Sequence, residues 1–240
     1  MKKQFENLLK NRHWKLELKD SCTNDWNEHW VIDGKEAKIS HNSEGMTFAA
    51  GPNQNDASHA VLWTKQRFKG DMRVKFIMTR LDDINRFVNI MYFQANGIGT
   101  IGAPKDIHLW REERLTPSMS TYFTKMDLLH ISFAAFGNDN DEADDYIRVR
   151  RYPVTPERSF DEIEVEPTIF NTNLFESNAE NEIEVIKTSK DLAMIVTGKD
   201  KELFQHWDIS KVSPLEEGPF GFRHMHKKVT RYKNIEIYTS

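Results

Sequence analysis

Residues 128–152 have the sequence LLHISFAAFGNDNDEADDYIRVRRY, the pattern of two β-strands joined by an acidic turn. Side chains of a strand alternate between its two faces. In the second strand, Ile147 and Val149 therefore point to one face. The polar residues of that strand point to the other face: Tyr146, Arg148 and Arg150. The hairpin predicts a sheet with one apolar and one cationic surface.

The first strand adds a histidine to the cationic surface. His130 and Ser132 share one face of this strand, opposite the apolar Ile131 and Phe133. If the two strands pair with their apolar faces matched, His130 lies beside the arginines. We therefore take this surface as the candidate working face. The alternative is a solvated strand face beside the acidic turn.

The residue types on this face are those that handle acidic sugars. Arginine presents a rigid fork of donors that matches carboxylates and sulfates. A histidine can act as a base near neutral pH, and a tyrosine can supply a proton. The candidate catalytic residues are His130, Tyr146, Arg148, Arg150 and His224.

A second set of residues is predicted to bind the substrate. Residues 59–65 place alternate side chains on one face, including a tryptophan that could stack on a sugar ring or pack in the core. In residues 221–225, GFRHM, Arg223 and His224 point to opposite faces, and the sequence leaves open which of them faces the groove. The candidate binding residues are His59, Trp63, Lys65, Tyr92, Gln94, Trp110, Tyr122 and Arg223.

The rest of the chain repeats short apolar strands at a spacing of roughly ten residues, which is typical of sandwiches and jelly rolls. The clearest are residues 45–51, 60–63, 73–80, 87–95, 182–187, 192–197, 203–207, 218–224 and 232–238.

We predict an all-β jelly-roll sandwich of two antiparallel sheets with a concave groove, formed as a single domain by residues 1–240. Residues 1–20 form an N-terminal extension whose short helix packs on it through Phe5, Leu8 and Leu9. Residues 96–127 and 153–180 are predicted loops, rich in glycine or proline.

The composition narrows the class of partner. Lys and Arg number 33 against 37 Asp and Glu, a net charge of −4, so the overall charge does not indicate a nucleic-acid partner. No apolar run approaches the roughly 18 residues that span a membrane, so we expect no membrane partner.

Cys22 is the single cysteine, which excludes an intramolecular disulfide. We expect a monomer or homodimer. The N-terminus lacks the apolar core of a signal peptide, which leaves the cytoplasm open, or the periplasm if a signal has been removed.

The acidic turn, residues 138–145, offers many oxygen ligands of the kind that Ca²⁺ prefers. Its spacing is not that of an EF-hand, and a solvated hairpin loop is the simpler interpretation. A structural calcium ion is left open, and no cofactor or metal is required for the chemistry considered below. Sequence motifs of P-loop enzymes, serine hydrolases and zinc peptidases are absent.

Six blocks of sequence together resemble one protein family. They are HAVLWTKQRFKGDM (59–72), FVNIMYFQANG (87–97), MSTYF (119–123), LHISFAAF (129–136), DYIRVRRY (145–152) and GFRHM (221–225). In this order and spacing, over residues 20–238, they resemble the YesU-like family of concanavalin A-like jelly-roll proteins from bacterial polysaccharide-degradation loci. The resemblance implies a concanavalin A-like fold and a carbohydrate ligand, often an anionic oligosaccharide.

The leading hypothesis is an enzyme that acts by β-elimination on oligosaccharides containing uronic acid, as a lyase or dehydratase. Arg148 and Arg150 would neutralise the carboxylate, and His130 or His224 would take the adjacent proton. Tyr146 or Tyr122 would protonate the leaving oxygen. Two alternatives stay open. One is a glycoside hydrolase with carboxylates drawn from Glu162, Glu164, Asp145 and Asp106, and the other is a non-catalytic carbohydrate-binding protein.

Overall fold

The computed structural model describes residues 2–137 and 145–240. Two helices are present in these residues, α1 (Lys2–Lys10) and α2 (Met119–Lys125), with 3₁₀ helices at Trp26–Glu28, Asp56–Ser58 and Ile107–Arg114. The strands, in chain order, are β1 (Lys15–Asp20), β2 (Trp30–Asp33), β3 (Lys38–Asn42), β4 (Gly45–Ala49), β5 (Ala60–Thr64), β6 (Phe68–Lys69), β7 (Met72–Arg80), β8 (Asn89–Gly97), β9 (Met126–Ala135), β10 (Tyr146–Arg151), β11 (Glu164–Phe170), β12 (Glu180–Lys187), β13 (Asp191–Thr197), β14 (Glu202–Asp208), β15 (Glu217–Gly218), β16 (Gly221–His224) and β17 (Val229–Thr239).

Two large antiparallel sheets are formed by the described strands, which confirms the predicted sandwich. The seven-stranded sheet has the order β11-β10-β9-β8-β16-β5-β2. The eight-stranded sheet has the order β14-β13-β12-β7-β17-β4-β3, with β1 paired to β17. Strands β6 and β15 form a small separate ribbon. No helix in the described part of the chain is long and apolar enough to cross a bilayer.

The main core lies between the two large sheets, and alternation along each strand decides which side chains enter it. Ile147 and Val149 of β10 are fully buried there, as the hairpin pattern predicts. They meet apolar residues of the eight-stranded sheet, including Phe76, Val185 and Ile237. Burial of such side chains contributes roughly 1.5–3 kcal/mol each. A second hydrophobic cluster, which includes Val61, Trp63 and Ile90, lies on the opposite face of the seven-stranded sheet.

Strand β8 is buried along its whole length, as expected for a central strand with both faces covered. Its outer face is covered by a segment that the sequence presents as a loop. This cover segment, residues 107–125, consists of the third 3₁₀ helix and α2. Helix α2 begins at Ser118, whose hydroxyl accepts a hydrogen bond from the Thr121 amide. The helix is short, so packing on the sheet rather than helix propensity stabilises it.

The N-terminal residues lie against the outer face of the eight-stranded sheet. Phe5 packs on Ile186 and Ala193, and its ring meets the edge of Phe204 at a centroid distance of 6.2 Å. Leu8 and Leu9 join this cluster, as the sequence predicts. Residues 15–20 form β1, which is part of the sheet and not an extension of it.

The dipeptide Asp33-Gly34 is typical of a hairpin turn. Here β2 pairs with β5 and β3 pairs with β4, so the chain changes sheets after Asp33 instead. Gly34 has φ +113°, and a Cβ there would lie 2.7 Å from the His59 carbonyl, so glycine is required for the close approach. Residues 153–180 are not entirely loop, because Glu164–Phe170 forms the edge strand β11.

Candidate functional site

The strand register brings the predicted polar residues onto the outer face of the seven-stranded sheet. Arg150 pairs with His130, which pairs with Tyr92. Arg148 pairs with Ser132 one step along the same face. The shared surface expected for His130, Arg148 and Arg150 is therefore present. With Tyr152 and Arg223 it forms what we call the arginine cluster: Tyr92, His130, Arg148, Arg150, Tyr152 and Arg223.

His130 is held at the centre of this cluster by two hydrogen bonds. Its Nδ1 lies 2.7 Å from the Tyr152 hydroxyl, and its Nε2 lies 2.6 Å from the Ser132 hydroxyl. Burial, together with the positive charges of Arg150, Arg223 and Arg148, lowers the pKa of His130 well below its usual value. The imidazole is thus neutral at physiological pH, so one ring nitrogen donates and the other accepts.

Two of the arginines share one carboxylate. Arg148 Nε lies 3.1 Å from Glu164 Oε2, and Arg150 Nη2 lies 3.4 Å from the same oxygen. Arg148 and Tyr146 are partly exposed, whereas Arg150 is 6% exposed. The cluster therefore reaches the surface at the β10 and β11 side of the sheet.

The third arginine is buried without a carboxylate. Arg223 is fully buried, and its Nη2 donates to the Pro117 carbonyl at 2.6 Å and to His59 Nδ1 at 2.9 Å. Its guanidinium also lies over the Tyr122 ring, 4.5 Å from the centroid. Among residues 2–137 and 145–240, no carboxylate lies within 4 Å of it. A buried cation costs several kcal/mol unless it is paired, so an anionic partner would stabilise it.

Several donors of the cluster have no acceptor among the described residues. They are Arg150 Nε and Arg223 Nε and Nη1. Burial raises the pKa of Tyr92 to about 12, so this hydroxyl keeps its proton. Buried polar groups in folded proteins are nearly always paired. Unpaired donors on two arginines of one sheet face are available to a ligand.

Trp63 is not free to stack on a sugar. Its ring lies between Tyr92 and Tyr122, with centroid distances of 5.4 and 6.4 Å. The Trp63 indole packs directly on Gly221, where a side chain would place its Cβ 2.4 Å from the ring. Tyr122 of the cover segment thus occupies the space that a sugar ring would need, and the ring-stacking role predicted for Trp63 is wrong for this conformation.

The cover segment is fastened through one buried carboxylate. Asp33 accepts hydrogen bonds from Trp63 Nε1 at 2.8 Å, the Tyr122 hydroxyl at 2.7 Å and Arg114 Nε at 2.7 Å. Tyr122 therefore donates to Asp33, and burial with the Asp33 charge raises its pKa well above the usual value. It is not placed to protonate a leaving group. Trp110 packs beside Arg114 in the same segment and donates to the Pro104 carbonyl.

Three other predicted site residues lie elsewhere. His224 points to the opposite face of β16 from Arg223, into the core, where it stacks on Phe48 and bonds the Tyr232 hydroxyl at 2.8 Å. Gln94 donates to the carbonyls of the β6 and β15 region and accepts from the buried Lys187. Lys65 is exposed and bonds the Asn27 carbonyl. Of Arg223 and His224, it is therefore Arg223 that faces the outer side of the seven-stranded sheet.

Tyr152 is the member of the cluster that sequence reasoning missed. It follows the last residue of β10 and shares the parity of Arg148 and Arg150, so strand alternation continued by two residues finds it. It is fully buried, and burial is the main cause that raises its pKa well above the usual value. Ser132 was placed on this face without a role, and it fixes the His130 ring.

The carboxylates considered for a hydrolase are dispersed. Asp106 caps the third 3₁₀ helix, Glu162 caps a surface turn at Ser159, and Asp145 bonds Thr172 and the Asn173 amide. Glu164 alone of these four contacts the arginine cluster. The described residues thus offer this cluster no pair drawn from the four candidates.

Of the acidic turn suggested as a calcium site, residues 138–144 lie outside the described residues, and Asp145 bonds Thr172 and the Asn173 amide. In the described ranges, no group of three or more His, Cys, Asp or Glu side chains could hold a metal ion.

Solved structures of other proteins share the fold of this chain, although sequence comparisons find no relative. No protein-family model matches the chain, and no curated protein sequence matches it. A solved Bacillus subtilis protein of unknown function with a galectin-like fold is 15% identical, with a TM-score of 0.70 over 95% of this chain and 98% of that one. The lumenal domain of VIP36, solved with Ca²⁺ and Man₃GlcNAc, is 12% identical, with a TM-score of 0.60 over 95% and 91%.

The lectin UEA-II, solved with galactose, is 9% identical, with a TM-score of 0.58 over 94% of this chain and all of that one. At these identities the likeness concerns the fold. The chain has the jelly-roll sandwich of galectin-like and legume lectin-like proteins, which confirms the predicted fold class.

Proposed function

We propose that this protein binds carbohydrate through the arginine cluster, and that the sugar it recognises carries a carboxylate. The observation that carries the proposal is the set of buried donors on Arg150 and Arg223 that have no acceptor among the described residues. Within the described ranges, Arg148 and Arg150 share one carboxylate, Glu164, and Arg223 has none. Two positive charges are left for a ligand, and a planar carboxylate matches the fork of arginine donors.

The fold supports sugar as the class of ligand. VIP36 and UEA-II, which share the sandwich, were solved with a mannose-containing glycan and with galactose. Sharing a fold does not by itself assign a function, so the proposal depends on the cluster. A non-catalytic sugar-binding protein is the simplest function that needs only these observations.

Arg150→Gln is expected to weaken binding of a glucuronate glycoside by about tenfold or more. It removes hydrogen bonds to a charged group, worth roughly 1.5–3 kcal/mol, and each 1.4 kcal/mol is about a factor of ten. Isothermal titration calorimetry measures the affinity. Arg231→Gln is the matched control, since Arg231 is also a strand arginine paired with a glutamate, at 2.6 Å, but lies in the other sheet. Equal affinity in both variants would contradict the assignment.

Elimination is the second candidate function, favoured by the His130–Tyr152 hydrogen bond of 2.7 Å beside the arginines. The arginines would neutralise the uronate carboxylate, and His130 would take the proton from the adjacent carbon. The C–O bond to the leaving group would then break, and its oxygen would receive the Tyr152 proton. Tyr152 replaces Tyr146 and Tyr122 in this role, because its hydroxyl contacts His130.

His130→Gln separates binding from elimination. If the protein is a lyase or dehydratase, this variant loses the absorbance of unsaturated uronate while its affinity for substrate changes less than threefold or so, since glutamine can retain one hydrogen bond. Mass spectrometry of the wild-type reaction identifies the chemistry. A product lighter by one water indicates dehydration, and an unsaturated chain end indicates a lyase. Added water indicates a hydrolase, and unchanged sugar with saturable binding indicates a binding protein.

A further inference from the structure

A cavity of about 300 Å³ lies beside the buried end of Arg223 and outside the arginine cluster. Its volume is at the lower end of the range for ligand pockets, roughly 300–1,000 Å³. Its lining combines an apolar floor with a polar rim: Phe87, Met119 and Met225, then Gln54, Asn55, Asp56, His59 and His226. The three rim residues 54–56 are exposed, whereas Phe87, His59 and His226 are buried.

A chain of hydrogen bonds links this cavity to the arginine cluster, and the donor and acceptor of each bond can be assigned. The Arg223 guanidinium can only donate, so His59 Nδ1 accepts. His59 therefore carries its proton on Nε2 and donates to His226 Nδ1 at 3.1 Å. His226 in turn carries its proton on Nε2. This donor is buried and has no acceptor among the described residues.

Both imidazoles remain neutral in this arrangement. Burial, followed by the positive charge of Arg223, lowers the pKa of His59 to about 3. Burial also lowers the pKa of His226, with help from Lys227 and Arg86, which do not line the cavity. Among the lining residues, Asp56 is then the charged side chain. A negative rim disfavours a second carboxylate and suits hydroxyl groups, which can donate to it.

We propose that this cavity is a subsite for a neutral pyranose linked to the uronic acid held by the arginine cluster. The inference rests on the proposed function. A pyranose has a C–H face that fits the floor of Phe87, Met119 and Met225, and an edge of hydroxyls that fits the rim and the unpaired His226 donor. The preferred ligand is therefore a glycan in which an acidic sugar adjoins a neutral one, rather than a uniform polyuronate.

The experiment is calorimetric titration with three probes: methyl glucuronide, a panel of aldobiouronic acids in which glucuronate is joined to a neutral hexose, and a diuronic acid. We expect the best aldobiouronic acid to bind about tenfold more tightly than methyl glucuronide, the gain expected from a few added hydrogen bonds and apolar contact. The diuronic acid should gain much less. Asp56→Ala should abolish the gain and leave the affinity for methyl glucuronide unchanged.

Asp200→Ala is the matched control, because Asp200 is an exposed carboxylate in the turn after β13, in the other sheet. It should keep the full gain. Binding of methyl glucuronide without any gain from the neutral sugar overturns the subsite and leaves the proposed function standing. An equal gain from the diuronic acid, or a gain that survives Asp56→Ala, also overturns it. Failure to bind any of the three probes overturns both proposals.

Discussion

Asp33→Ala is expected to lower the free energy of unfolding by about 3–5 kcal/mol, the usual cost of removing one partner of a buried ion pair. Asp33 and Arg114 are both fully buried, and the alanine would leave the guanidinium without its carboxylate. Trp63 and Tyr122 would lose their acceptor as well. Urea unfolding near neutral pH measures the loss.

The same substitution should loosen the cover segment, residues 107–125, before the rest of the sandwich. Hydrogen exchange resolved by segment should show faster exchange there. The double variant Asp33→Leu/Arg114→Met removes both charges and should recover much of the stability, because no buried charge is left unpaired. Asp200→Ala, an exposed carboxylate, is the control. A loss below about 1 kcal/mol in Asp33→Ala would show that this ion pair does not hold the segment.

Acidification should destabilise the protein steeply, because buried histidines are neutral in the folded state and three of them have strongly lowered pKa values. Burial is the main cause that lowers the pKa of His59 and His224 to about 3 and that of His130 well below its usual value. In the unfolded chain a histidine has a pKa of about 6.5. Below that pH the histidines of the unfolded state bind protons, whereas those of the folded state stay neutral. The free energy of unfolding is therefore highest above about pH 6.5 and falls as pH decreases towards about 3.

Each such histidine contributes up to about 1.4 kcal/mol per pH unit, so the three together approach about 4 kcal/mol per pH unit below roughly pH 5.5. Urea unfolding at a series of pH values gives the slope. His224→Gln should reduce it by about one third, whatever its effect on stability at neutral pH. His41→Gln replaces an exposed histidine and serves as the control. A slope unchanged in His224→Gln would mean that this imidazole is protonated in the folded protein.

The sequence was most informative where strand alternation decides the outcome. A period of two assigns Ile147 and Val149 to the core, and Arg148 and Arg150 to the outer face, without knowledge of any other strand. The continuous apolar run of β8 likewise predicts a strand covered on both sides. The sandwich and the polar surface of the hairpin follow from such local patterns, because each strand must bury its apolar face.

What covers that surface could not be predicted from local pattern. Residues 107–125 have weak periodicity and flanking prolines, and they become helical through packing on Trp63 and Tyr92 and through the buried Asp33–Arg114 pair. These contacts join residues that are far apart in the chain, with Asp33 and Arg114 separated by 81 positions. For this reason the sequence left open whether Trp63 stacks on a sugar ring or packs in the core.

By itself, the sequence determined the two-sheet architecture and which residues of the 128–152 hairpin share a face. Only the tertiary structure decided that Arg223 rather than His224 faces the cluster and that Tyr152 bonds His130. It also decided that buried donors of two arginines have no acceptor within residues 2–137 and 145–240. The physical reason is the range of the interactions. Alternation acts between neighbours along one strand, whereas burial, ion pairing and hydrogen-bond satisfaction depend on segments that meet only in the folded chain.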